Sequence, residues 1–208
     1  MASSVGSVLS PLFIGMLAGS WVFATGAISL PSVLTGIAFV ALSAASGAAY
    51  LAVKTTGSLR TEMATDGMYA SVGALVAIVL LLVVVFVSNP LGIRATLRSV
   101  PVGAVVLAAV VLAVFGLLSA MRSAYTRWFY AMGGVSIAFV VLVAVLLYPE
   151  LYPRTETTVR EAVVSPLSLN VLTIVVVPVL ALVLAYFRYL YGVFSGPVEP
   201  EDGYGMSD

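Results

Sequence analysis

Six long apolar stretches, separated by short polar breaks, constrain this chain more than any other feature. A hydrocarbon core of about 30 Å calls for roughly 20 apolar residues per spanning helix, because lipid cannot satisfy free backbone N–H and C=O groups. Six segments meet that requirement: Val8–Ser29, Val33–Val53, Tyr69–Val87, Val102–Met121, Trp128–Tyr148 and Leu167–Tyr191. Hydrophobic residues make up 62% of the chain and charged residues 9%, a balance that water would not tolerate in a globular domain of this size. The fold class expected is therefore all-α, a polytopic transmembrane helix bundle of about six spans. Residues 1–196 read as one membrane domain and residues 197–208 as a short acidic tail carrying Glu199, Glu201, Asp202 and Asp208.

The breaks carry turn chemistry. Leu30-Pro31-Ser32 predicts a tight turn between the first two spans, and Lys54–Asp66 a polar loop containing Gly57. Asn89-Pro90 and Pro101 bracket a loop with Arg94 and Arg98; Arg122 and Arg127 frame a short turn; Pro149–Ser165 is the longest connection. The opening MASSVGSVLSPLFIGMLAGSW has no basic region or A-x-A site, so its apolar run is read as the first span and not as a removed leader. Lysine and arginine near the helix ends set orientation. One side holds Lys54, Arg60, Arg122, Arg127 and Arg188, and the other Arg94, Arg98, Arg154 and Arg160. The balance favours cytoplasmic termini.

The chain has no histidine and no cysteine, which removes ordinary haem ligation by imidazole or thiolate, the usual zinc sites, Ser-His catalysis and disulfides. Seven methionines are scattered as gap-filling core residues would be. Charges balance, with nine basic and nine acidic residues, so nothing favours nucleic acid. Ionisable groups inside spans mark ion paths; the first five spans hold none, and the sixth only Arg188. Glu62 and Asp66 precede the third span, where Asp66 is expected to cap its N-terminus, with proton entry as the sharper alternative. No catalytic, cofactor-binding or metal-binding residue is nominated.

The last span starts at Ser165-Pro166, a cap followed by proline at the first helical position. Pro178 is expected to kink it. Tyr186, Phe187, Tyr189, Tyr191 and Phe194 around Arg188 read as an interfacial belt with a snorkelling cation, in preference to a quinone platform. Gly15, Gly19 and Gly26 give the first span a flat face. Ser43, Ser46 and Gly47, Gly116 and Ser119, and Gly133 with Gly134 offer further close-approach faces.

At these residues the chain resembles subunit II of the cytochrome bd-type quinol oxidases. Leu30-Pro31-Ser32-Val33-Leu34-Thr35-Gly36 and Gly47-Ala48-Ala49-Tyr50-Leu51-Ala52-Val53-Lys54-Thr55-Thr56-Gly57-Ser58-Leu59-Arg60 resemble the family's N-P-F-x-L-L-x-G and Q-G-A-x-Y-L-x-x-K-T-x-G-x-L-x-x-R. Tyr148-Pro149-Glu150-Leu151-Tyr152-Pro153 is similar to F-P-x-L-x-P-S, and Ser165 to Thr173 with Pro178 to the final helix. Arg122 to Phe129 fits the basic turn before the penultimate span. The resemblance runs from about residue 12 to 196.

That resemblance implies a haem-free subunit of a quinol:oxygen oxidoreductase in a respiratory chain. Haems b and d are then expected in a haem-bearing membrane partner, with lipid and quinone as further partners and a prokaryotic plasma membrane as the location. The chain matches the later two-thirds of the family. The earlier G-F-D-x-G and W-x-G-N-x-V-W helices are not matched, so a shortened subunit is expected, with a further small membrane chain as one source of the missing helices. Arg154 and Glu156 stand in a loop usually less charged. The runner-up is a small transporter or permease unrelated to respiration, which would show broken helices in paired positions. A free-standing membrane enzyme lacks any acid, base or metal constellation.

Overall fold

The structure, a computed structural model, describes residues 2–88, 99–148, 150–152, 157–163 and 165–193. Six long helices run through it: α1 (Ala2–Val22), α2 (Leu30–Lys54), α3 (Gly57–Ser88), α4 (Val100–Met121), α5 (Tyr125–Leu147) and α7 (Pro166–Val193). Between the last two lie a short antiparallel pairing of β1 (Glu150–Tyr152) with β2 (Thr157–Thr158) and the single turn α6 (Val159–Ala162), closed by a Thr158–Glu161 capping box. All six long helices are apolar and long enough to cross a membrane, so the all-α polytopic expectation holds. Arg94, Arg98, Arg154, Glu156, Phe194 and the tail 197–208 lie outside the described residues.

Two boundaries differ from the sequence expectation. The first helix stops at Val22 instead of continuing to Ser29. Its exit passes through Ala24 at φ +47°, and a knot of hydroxyls fixes the turn. Ser29 Oγ lies 2.8 Å from both Thr25 Oγ1 and Ser32 Oγ, and Ser32 donates to the Gly26 carbonyl at 3.1 Å. Ser29 also caps α2 by accepting from the Ser32 N–H. Three short polar side chains thus outcompete helix continuation by bonding to one another and to the local backbone. Leu30-Pro31-Ser32 is the first turn of α2, with proline where its missing N–H costs nothing.

The second correction concerns Lys54–Asp66, which is not a loop. Thr55 closes α2 by bonding Leu51 O through both N–H and hydroxyl, Gly57 turns the corner at φ +67°, and α3 is already helical from there. Glu62 and Asp66 are exposed positions within that helix. Asp66 does not cap it, because N–H groups three turns in are already bonded to carbonyls four residues back. The 32 residues of α3 span about 48 Å against a core of about 30 Å, so its first turns stand clear of the hydrocarbon.

Helix α2 is the hub, packing against α1, α3 and α5, while α4 packs mainly on α5. Its buried residues Ala38, Leu42, Ala45, Ala49 and Ala52 recur with alternating spacings of four and three, the stripe that lets neighbouring helices run nearly parallel. Lipid is as apolar as a side chain, so close backbone approach and dispersion must do what the hydrophobic effect does in water. Gly15 and Gly19 of α1 provide this against α2. A Cβ at Gly15 would fall 2.8 Å from Gly36 Cα, and one at Gly19 would fall 2.9 Å from Ser32 Cα. Gly26, expected on the same face, lies in the turn with open space around it. Gly116 and Ser119 are buried between α4 and α5, and Gly134 meets Leu112, whereas Gly47 and Gly133 face outward.

The last helix stands apart. Ser165 and Pro166 start it as expected, with Ser165 Oγ accepting from the Ser168 N–H, and the helix continues unbroken across Pro178. Every residue of it except Leu190 is exposed, and it makes no extended contact with the others.

Candidate functional site

The tightest junction in the bundle forms where α2, α3, α4 and α5 meet around Trp128. Its indole is fully buried, its Nε1 donates to Ser71 Oγ at 3.3 Å, and that hydroxyl donates to Gly67 O at 2.8 Å. Gly67 is where the ring rests: a Cβ there would lie 2.6 Å from Ala48 Cβ and 2.9 Å from Trp128 Cζ2. Met132 and Ala131 close over Gly116 on the other side. Gly67 and Ser71 carried a signal in their four-residue spacing, but their partner comes from a helix 57 residues away from Ser71, which no local pattern discloses.

Three arginines converge at one end of the bundle. A basin of ≈ 560 Å³ opens between the α2–α3 and α4–α5 turns, with Arg60, Arg122 and Arg127 on its wall beside Val53, Ser123 and Tyr125. Arg60 is held in place: its Nε donates to Thr55 O at 2.6 Å and its guanidinium lies 5.8 Å from the Tyr125 ring centroid. The α4–α5 turn, which carries Arg122 and leads into the first turn of α5 with Arg127, is fixed by Ser123 at φ +56° and by Ala124 N–H bonding Ser119 O. Sequence spacing marks these arginines only as topology signals.

Toward the opposite end of the bundle lies a partly open apolar cavity of ≈ 70 Å³, lined among others by Gly19, Phe23, Thr35, Leu81 and Phe139. Its one hydroxyl, on Thr35, is committed to Pro31 O at 2.7 Å. Such a void lacks the two to four polar partners that hold a water, so it offers no proton wire. Among the described residues no buried side-chain polar atom lacks a partner, and no three metal-capable side chains cluster. Glu62 and Asp66 point outward from α3. The belt residues Tyr186, Phe187, Tyr189 and Tyr191 are exposed at the end of α7, with Phe187 stacked on Tyr191 at 6.3 Å.

The helices run uninterrupted past Pro11 and Pro178, unlike the broken midplane helices of many transporter folds. A family model for cytochrome bd terminal oxidase subunit II matches residues 1–194. The chain belongs to that family. As a cytochrome bd subunit II protein it is a multi-pass membrane component of a respiratory quinol oxidase system, and the match takes in all six spans. No curated protein matches it.

Whether this subunit II chain could itself hold a haem is a question of donors and space. It has no imidazole and no thiolate. Met132 is buried and spent on packing over Gly116, and no methionine lines the apolar cavity. The residues do not fit the group.

Proposed function

We propose that this subunit II chain is the haem-free scaffold of a membrane quinol:oxygen oxidoreductase. It holds a haem-bearing membrane subunit in place and contributes packing surface, while haems b and d, and with them electron transfer, belong to that partner. The observation that carries the reading is the donor set: the chain has no histidine or cysteine, and its buried Met132 is packed into a helix junction, so the commonest haem-iron donors are not on offer. Residues 1–196 act as one membrane unit in a prokaryotic plasma membrane, with the termini and the α2–α3 turn on the cytoplasmic side. That orientation is supported by Lys54, Arg60, Arg122 and Arg127 gathering at one end, as the positive-inside rule asks.

Affinity purification of the tagged chain from its own membranes tests the reading. A histidine-containing haem subunit should come with it, and the Soret absorbance should follow that subunit when the two are separated. Retention of a Soret band by the separated chain would refute the assignment.

A further inference from the structure

Among the described residues the arginine basin is lined by three positive charges and no negative one. Among the described residues no carboxylate forms an ion pair with Arg60, Arg122 or Arg127. The nearest acidic residues in sequence, Glu62 and Asp66, follow Arg60 by two and six positions, which turns them to the far side of α3. Arg60 shares its inward face with buried Ala64, Gly67 and Ser71, whereas Glu62, Asp66 and Tyr69 are exposed. Three guanidinium groups around one basin repel one another unless an anion joins them, and planar guanidinium forks suit phosphate oxygens. The Nε bond to Thr55 O and the Tyr125 ring orient Arg60 in advance, lowering the ordering cost of binding.

What lies below the basin points to the kind of anion. One turn deeper on α2 and α5, Tyr50 and Phe129 meet at 5.7 Å between ring centroids, next in sequence beyond Ala52, Val53, Thr126 and Arg127 of the basin wall. Tyr50 and Tyr130 are open to the bilayer. A charged rim over an aromatic and aliphatic strip, at the end of membrane-crossing helices, matches an amphiphile with an anionic head. A free ion would use only the rim.

From this geometry we propose that the basin formed by Arg60, Arg122 and Arg127 binds the phosphate of an anionic phospholipid, whose acyl chain lies along Val53, Tyr50 and Phe129. Such a lipid ties the α2–α3 and α4–α5 hairpins together at one membrane face. The proposal is independent of where the haems reside.

Native mass spectrometry of the full chain, as purified with any partner it retains, tests this with phosphatidylglycerol, phosphatidylcholine and inorganic phosphate as probes. The wild type should retain phosphatidylglycerol in preference to phosphatidylcholine. Replacing Arg122→Gln and Arg127→Gln together should weaken phosphatidylglycerol binding about thirtyfold, given the usual contribution of each basic group at an anionic lipid surface, and leave phosphatidylcholine unchanged. Arg122→Lys with Arg127→Lys should recover most of the loss. Both positions are exposed, Arg122 in the α4–α5 turn and Arg127 in the first turn of α5, so helicity by circular dichroism should match the wild type. If the variants misfold, the wild-type preference and its loss at high salt decide the matter. Equal retention of the two lipids would overturn the proposal. So would a glutamine variant that binds phosphatidylglycerol like the wild type, or inorganic phosphate that displaces the lipid at equal affinity, which would mark a site for free anions.

Discussion

Gly67→Ala should be the most damaging single-methyl addition to this chain. The new Cβ would sit 2.6 Å from Ala48 Cβ and 2.9 Å from Trp128 Cζ2, where under 3.0 Å something must shift. Ala48 cannot rotate away, because its Cβ is fixed to the backbone of the central helix. Trp128 is fully buried and tethered through Nε1 to Ser71, on the same helix as Gly67. Overpacking of this kind costs about 2–3 kcal/mol, and alanine returns about 1 kcal/mol of helix propensity over glycine, leaving a net loss of about 1.5 kcal/mol. Gly133→Ala is the control: nothing lies within 4 Å of that Cβ, so only the propensity gain remains. Trp128→Phe removes the distal ring atoms that the new methyl strikes. The double variant Gly67→Ala/Trp128→Phe should therefore be less destabilised than the sum of the singles by about 1 kcal/mol. Unfolding by increasing mole fraction of dodecyl sulfate in micelles, followed by far-ultraviolet circular dichroism, measures all four. Strict additivity, or Gly67→Ala behaving like Gly133→Ala, would show that the junction is looser than described.

Three further outcomes are expected. Ser29→Ala removes both the cap of α2 and the centre of the hydroxyl knot, so it should cost about 1 kcal/mol in the same titration, and a neutral result would mean the knot is not formed in micelles. Glu62→Gln with Asp66→Asn should leave oxidase turnover of the assembled complex within about twofold, since substitutions at exposed positions rarely shift energies by more than about 0.5 kcal/mol; a collapse with assembly intact would give these carboxylates a part in proton entry. In this cysteine-free chain, Thr56→Cys and Val163→Cys flank three spans, so an impermeant thiol reagent should reach them from opposite sides of the membrane. Labelling of both from one side would break the six-span topology.

Hydropathy marked all six helices that are long and apolar enough to cross a membrane. It could not place helix ends, because a helix that continues into water pays no hydropathy toll. The first turns of α3 stayed helical because Arg60, Glu62, Met63 and Ala64 form helices readily once Gly57 has turned the corner. The end of α1 was hidden for the opposite reason: Ser29 and Ser32 look unremarkable singly, and only their mutual 2.8 Å contact makes them a stop signal. The family was legible in ordered short motifs. The basin was not, since Arg60 is brought near Arg122 and Arg127 only when two hairpins sit side by side.

Two association chemistries divide the molecule. The five-helix unit is held where backbones approach: Gly15 on Gly36 and Gly19 on Ser32, Ala45 and Ala49 along α2, and Gly67 and Gly116 against Trp128 and its neighbours. In lipid such contacts are the main source of specificity, because apolar bulk gains nothing by leaving one apolar medium for another. Helix α7 offers the reverse, a run of valine and leucine exposed on every side. With its backbone bonded internally and Thr173 returning its hydroxyl to Leu169 O at 2.8 Å, it satisfies the bilayer without any helix beside it. A partner that grips α7 must therefore bring the small residues itself, so that the knobs belong to this chain and the holes to its neighbour. A partner surface as bulky as α7 would leave it in lipid.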